Sequence, residues 1–134
     1  MKPGFRVLIV DDEPIVCERL GAEMTKLGFE VETFTDSSDA LQRIAARRFD
    51  LVITDIKMRG PTGIEVMHFV RENYPATKVI VITGFATVET AREALKGGAV
   101  DFLPKPFKLS QLRDLVLSLA ADRGAADKNG PSGA

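Results

Sequence analysis

The chain has 134 residues, 45% of them hydrophobic, with 18 basic against 19 acidic side chains and a net charge of -1. That length and apolar fraction suit one globular domain with a real core and leave no room for a second. The near-neutral charge argues against a broad electrostatic grip on nucleic acid and against a polybasic membrane anchor, and no apolar run approaches the roughly 18 residues of a spanning helix.

Met1-Lys2-Pro3-Gly4 leads straight into a strand-like run, so no signal peptide is expected. The single cysteine, Cys17, cannot form an internal disulfide, which makes a reducing cytoplasm the expected setting. It lies among Ile15, Val16 and Leu20 in a helical pattern and is expected to pack rather than react.

Two periodicities alternate along the chain. Short β-branched or apolar runs predict strands at Arg6–Val10, Val31–Phe34, Leu51–Thr54, Val79–Ile82 and Val100–Leu103. The first, third and fourth are apolar almost throughout, as parallel strands covered on both faces are. Between them, Pro14–Leu27 opens with a first-turn proline and stops at Gly28. Ser37 or Ser38 can cap Asp39–Arg47, where Ala40, Leu41, Ile44 and Ala45 repeat at helical spacing. Gly63–Asn73 carries Ile64, Val66, Met67 and Val70 ahead of Pro75, and Thr87–Lys96 ends at Gly97-Gly98. In the last helix, about Ser110–Asp122, Leu112, Leu115, Val116 and Leu119 form one stripe. Beyond Gly124 the periodicity is lost, so residues 5–123 are expected as the domain and 124–134 as a disordered tail or linker stub.

Strand–helix alternation repeated five times, with right-handed crossovers, predicts an α/β protein: a (βα)5 doubly wound, five-stranded parallel sheet of flavodoxin-like kind. Such sheets carry their sites at the carboxyl ends of the strands, where strand order reverses. Those ends are Asp11-Asp12-Glu13, Asp55, Thr83-Gly84 and Pro104-Lys105-Pro106. As parallel neighbours they bring carboxylates, a hydroxyl and an ammonium to one edge. Two unit charges about 4 Å apart interact by roughly 4 kcal/mol at an effective dielectric of about 20, so clustered acids repel by several such increments. One lysine cannot neutralise them. A hard divalent cation bound through oxygen can, and Mg²⁺ accepts a few carboxylates while keeping positions for water or phosphate. These are the parts of a phosphoryl-transfer site. Taken singly, each residue has a plainer reading: Asp12 as a helix cap, Asp55 as a loop acid, Thr83 as a strand-end hydroxyl, Lys105 as solvated surface. Four complementary strand ends together favour the functional one.

In these residues the chain resembles a response-regulator receiver domain, the phospho-acceptor module of two-component signalling, with a fold like that of the chemotaxis receivers. The resemblance covers about residues 5–122 and rests on Asp11-Asp12, Asp55, Thr83-Gly84 and Lys105-Pro106, each at its expected strand end. The stretches 82–87 and 101–107 look most like receivers attached to AAA+ transcriptional activators. The resemblance implies that Asp55 accepts phosphate from the phosphohistidine of a sensor histidine kinase or phosphotransfer protein. It implies Mg²⁺ bound directly by Asp12, Asp55 and the backbone carbonyl of Lys57, and by Asp11 mainly through water, with Lys105 and Thr83 binding phosphoryl oxygens. Phe102 occupies the family's rotating aromatic position, and the Lys105–Pro106 bond is expected to be cis. The switching surface would be the face of the fourth helix, fifth strand and fifth helix.

One loop departs from the pattern: Arg59 stands where the family usually has proline, and a proline follows at position 61. Lys57 and Phe85 occupy positions where the family varies phosphate lifetime, and the Lys57 ammonium is a rival occupant of the acidic cluster. His68, Arg47-Arg48 and the phenylalanines at 5, 29, 34, 49 and 69 read as surface or packing residues.

Two rivals differ in class. A constitutive, non-phosphorylated interaction module predicts a missing acid, threonine or lysine, and none is missing. An aspartate-nucleophile phosphohydrolase resembles Asp-x-Asp at the nucleophile, whereas Asp55-Ile56-Lys57 has lysine there. The expected partners are thus the kinase and a downstream output domain or protein, with a homodimer as a further candidate. Direct nucleic-acid or membrane contact is not expected, nor is enzymatic turnover beyond the chain's own phosphorylation and slow dephosphorylation.

Overall fold

The computed structural model describes residues 4–133, with side chains for 4–122. Five strands, β1 (Arg6–Val10), β2 (Glu30–Phe34), β3 (Leu51–Thr54), β4 (Lys78–Thr83) and β5 (Asp101–Pro104), alternate with five helices. These are α1 (Pro14–Lys26), α2 (Ser37–Ala46), α3 (Gly63–Asn73), α4 (Val88–Lys96) and α5 (Leu109–Gly133). All strands are parallel, in the order β2-β1-β3-β4-β5. The expected fold is the one observed. The tail expected over 124–134 lies outside the residues described with side chains.

Alternation along the strands divides the core in two. Val7, Ile9, Leu51, Ile53, Ile80, Ile82 and Leu103 pack with Cys17, Leu20 and Met24 of α1 and Leu112 and Val116 of α5. Leu8, Val10, Val52, Val79 and Val81 face the other way, onto Ala40 and Ile44 of α2, Val66, Met67 and Val70 of α3, and Ala94 of α4. The central strands are therefore apolar on both faces, with Arg6, Thr54, Lys78 and Thr83 as the polar residues at their ends, while the edge strand β2 is only half-buried. Its outer Glu32 takes a two-pronged ion pair from Arg43 of α2, at 2.7 and 2.9 Å.

Several boundaries differ from the sequence expectation. Asp36, not Ser37 or Ser38, caps α2, its Oδ1 accepting from the N–H groups of Ser38 and Asp39. Aspartate one residue earlier already meets the need for an acceptor at the helix start, which frees the Ser37 hydroxyl for another partner. Thr87 is the cap of α4 rather than its first residue, and β5 begins at Asp101 rather than Val100. Asp12 is not the cap of α1: that position falls to Glu13 without a side-chain bond, and Pro14 starts the helix.

Candidate functional site

The register builds the site. Val10 pairs with Thr54 across β1 and β3, so Asp11 and Asp55 follow side by side. Their backbone N–H groups prolong the ladders, to the Phe34 and Val10 carbonyls, each at 3.1 Å. Thr83 pairs with Pro104, and the Lys105 N–H reaches the Thr83 carbonyl at 2.8 Å. Asp11, Asp55 and Lys105 each come two residues after a side chain in the α1/α5 cluster, namely Ile9, Ile53 and Leu103. Strand alternation therefore sends all three toward one side of the sheet edge. Thr83 follows Val81 by two and has the opposite alternation, as does Phe102, the register partner of Val81.

The Lys105 ammonium donates to Asp11 Oδ2 at 2.8 Å, Glu13 Oε1 at 2.9 Å and Asp55 Oδ2 at 3.1 Å. Burial opposes its charge, yet the three carboxylates hold its pKa above the usual lysine range. Asp11 is fully buried. Desolvation pushes its carboxyl above the usual range, against the lowering from Lys105 and from the Glu13 N–H. Asp55 is also buried, and its Oδ1 accepts from the Ile56 N–H at 2.6 Å. Asp12 stands exposed at the rim. Carboxylate oxygens of Asp11, Asp12 and Asp55 lie within 4.8 Å of one another. Three hard oxygen donors so close, two of them on buried residues, fit a divalent cation of the Mg²⁺ kind.

The other expected site residues are arranged differently. The buried Thr83 hydroxyl oxygen accepts from the Phe85 N–H at 2.9 Å and so faces its own turn. Phe102 is partly buried against the α2–α4 side of the core. The Lys57 ammonium lies 3.9 Å from the Phe85 ring centroid, and Lys105 is the lysine bonded to the acids. The Lys105–Pro106 peptide is cis. Without a proline at position 59, the β3–α3 loop is tied instead by the Ser37 hydroxyl, which donates to the Arg59 carbonyl at 2.9 Å. The bond from the Gly63 N–H to the Ile56 carbonyl, 2.8 Å, closes the loop.

Two contributors were not singled out from sequence. Glu13 was visible in the acidic run, and its position before Pro14 gave no sign that it turns back to Lys105. Gly63 lies so close to Asp55 that a Cβ there would sit 1.8 Å from the Asp55 carbonyl oxygen. Only its place at a helix start hinted at this. Cys17 packs beneath the site as expected, its Sγ 3.3 Å from the Asp11 and Phe34 carbonyls, and burial pushes the thiol pKa up. His68 is exposed. Among the described residues no helix is long and apolar enough to cross a membrane.

Comparison with known proteins bears on the family and the fold. The family profile described as the response regulator receiver domain matches residues 7–117. Response regulator protein PilR of Pseudomonas aeruginosa is 32% identical over 126 residues, covering 94% of this chain and 28% of PilR. Regulatory protein AtoC of Escherichia coli is 40% identical over 111 residues, 83% of this chain and 24% of AtoC. The chain thus spans less than a third of the length of these curated relatives. Among solved structures, the beryllofluoride-activated NtrC4 receiver domain dimer superposes with a TM-score of 0.77 at 34% identity, covering 87% of this chain and 93% of that one. The response regulator TrrA of Thermotoga maritima, in complex with Mg²⁺ and beryllofluoride, gives 0.76 at 32%, covering 85% and 97%.

Proposed function

The chain belongs to the response-regulator receiver family of two-component signalling, and on that premise we propose that Asp55 is the residue it phosphorylates, with Asp11, Asp12, Asp55 and the Lys57 carbonyl holding Mg²⁺. The observation that carries this reading is the meeting of Lys105 with Asp11 and Asp55 at hydrogen-bond distance, beside Asp12.

An Asp55 carboxylate oxygen attacks the phosphorus of a phosphohistidine in line; the new O–P bond forms as the N–P bond breaks and the histidine nitrogen keeps the electron pair. Asp55 is held for this by the Ile56 N–H and by β3. Bound Mg²⁺ would offset charge on the equatorial oxygens. Lys105 already stands beside Asp55 and has only to exchange a carboxylate oxygen for a phosphoryl one. Thr83 must leave its turn to donate to another.

Those new bonds bias a two-state element. Moving a switch from roughly 1:99 to 99:1 takes about 5.5 kcal/mol of differential stabilisation, and a few charge-assisted hydrogen bonds at about 1.5–3 kcal/mol each supply it. The element is the turn after β4, coupled to Phe102 and to the α4–β5–α5 face. Output lies in another protein or in a further part of a longer chain, with residues 5–123 as the receiver and 124–134 as tail or linker. The relatives' names as transcriptional regulators support a transcriptional output. A sensor kinase as donor, a homodimer as the active assembly and a cytoplasmic setting for the free Cys17 complete the reading. Steady turnover of a phosphate ester is not expected.

Acetyl phosphate with and without Mg²⁺, read by intact mass beside Asp55→Asn, tests it. A Mg²⁺-dependent gain of one phosphoryl group, absent in the variant, is the expected result. A folded, Mg²⁺-binding protein that gains nothing overturns it.

A further inference from the structure

Phe85, in the turn after β4, gathers three contacts. Its N–H donates to the Thr83 hydroxyl oxygen at 2.9 Å, and its carbonyl accepts from the Thr90 hydroxyl at 2.8 Å. The Lys57 ammonium lies 3.9 Å from its ring centroid. Phe85 is 49% exposed and belongs to neither core cluster. Beside it, a Cβ added at Gly84 would meet nothing within 4 Å, so the turn borders open space on that side.

We propose that Lys57 and Phe85 form a latch that ties the β3–α3 loop to the turn after β4 and holds the Thr83 hydroxyl in its resting position. The inference rests on the phospho-acceptor reading, because it concerns what Thr83 must leave in order to reach a phosphoryl group on Asp55. A threonine oxygen bonded to the N–H two residues on forms a small closed turn. Rotating the hydroxyl toward Asp55 either breaks that bond or drags the Phe85 backbone along. The backbone follows only if the ring leaves Lys57 and the carbonyl leaves Thr90. Thr90 also exchanges hydrogen bonds with Thr87 in the capping box of α4, so the movement reaches the first turn of that helix.

Lys57 is then a positioning residue: it touches Phe85 and acts on Thr83 through it. Its loop also carries Asp55, so the latch spans the phospho-acceptor and the switch residue. An exposed cation–π contact of about 0.5–1 kcal/mol corresponds to about a two- to fivefold population shift.

Two readouts test this on the full chain. In metal-free protein, solvent exchange of the residue-85 amide, corrected for intrinsic rate, is measured by NMR for the wild type, Phe85→Leu, Phe85→Tyr, Lys57→Met and the Lys57→Met/Phe85→Leu double variant. Phe85→Leu and Lys57→Met should each speed exchange about two- to fivefold, with no further gain in the double variant, while Phe85→Tyr keeps the ring and the wild-type rate. Titration with beryllofluoride and Mg²⁺ should then show Phe85→Leu binding about two- to fivefold tighter than wild type, since the substitution leaves the local charge unchanged. Additive exchange effects, a Phe85→Tyr variant that behaves like Phe85→Leu, or no tighter binding by Phe85→Leu overturns the latch. A wild type that takes up no beryllofluoride sinks the phospho-acceptor reading instead, and the exchange data still decide the latch.

Discussion

The Lys105 ammonium lies 2.8 Å from the buried Asp11 carboxylate, so the end of the fifth strand is bonded to the end of the first across the mouth of the site. The same ammonium reaches Asp55 and Glu13, and its side chain is only 19% exposed. One cation thus serves several acids in a partly dry setting. That arrangement makes removal of the lysine and addition of a divalent cation opposing perturbations of the same charge.

Lys105→Met should destabilise the metal-free protein by about 1–3 kcal/mol, below the roughly 3–5 kcal/mol for breaking a fully buried pair because part of the site is open to water. Mg²⁺ should restore much of that loss, since a ligand at 100 times its Kd stabilises by about 2.7 kcal/mol. Denaturant unfolding of both proteins across a Mg²⁺ series measures it. A wild-type-to-variant gap that stays constant as Mg²⁺ rises contradicts the account.

Asp11→Asn tests the burial of the acid itself. Desolvation raises the Asp11 pKa above 3.8 in the folded state. A carboxyl with a raised folded pKa contributes its stability below the unfolded value and loses it as pH rises through the folded one. The wild type therefore weakens over that window while the asparagine variant does not. Metal-free Asp11→Asn should melt above the wild type at pH 7, with the difference fading toward pH 3.8 and below. Mg²⁺ should stabilise the variant less, having lost one ligand.

The sheet and the four strand-end groups were legible because central parallel strands are apolar almost throughout and polar residues mark where they stop. Asp11, Asp55 and Lys105 then followed from order alone. Orientation was not legible. The direction of the Thr83 hydroxyl depends on the turn at 84–85, and that of the Lys57 ammonium on a ring 28 positions away in another loop. The cap of α2 lies one or two residues before the expected serines because Asp36, Ser37 and Ser38 are all good acceptors, and only packing shows that Ser37 is buried with its hydroxyl on the Arg59 carbonyl. Sequence spacing says which strand end a residue occupies, whereas loop contacts decide which partner it takes.

Away from the site, Glu32 on the edge strand gives a pH signature of its own. Its two hydrogen bonds from Arg43, together with the nearby Arg47 and Arg6, hold its carboxyl below the usual 4.5 despite some burial. A lowered folded pKa adds stability above the unfolded value, and that stability is lost as pH falls through the folded one. Glu32→Gln should therefore lower the melting temperature at pH 7 and converge on the wild type as pH falls below 4.5. Because both side chains are about one-third exposed, added salt should narrow the gap at pH 7 as well.

Gly63→Ala is the sharpest test of how the site is built. Gly63 is the first residue of α3, and its N–H bonds the Ile56 carbonyl, so the start of the helix is pressed onto the chain that carries Asp55. An added Cβ would lie 1.8 Å from the Asp55 carbonyl oxygen and 2.9 Å from Ile56 Cα, both backbone atoms that cannot rotate away. Overpacking of this kind typically costs about 1–3 kcal/mol, and here the relief must come from shifting either α3 or the Asp55 segment. The helix has its own anchor, a capping box in which Thr62 and Glu65 exchange bonds of 2.7 and 3.2 Å. The Asp55 segment should therefore share the displacement. Gly63→Ala is expected to unfold at lower denaturant and, while still folded, to bind Mg²⁺ more weakly than wild type. Thr62→Ala serves as the control: loss of a cap costs about 1 kcal/mol of stability without a backbone clash at Asp55, so its Mg²⁺ affinity should stay near wild type. Equal losses of Mg²⁺ affinity in the two variants would mean that α3 as a whole, rather than the contact at Gly63, sets the position of Asp55.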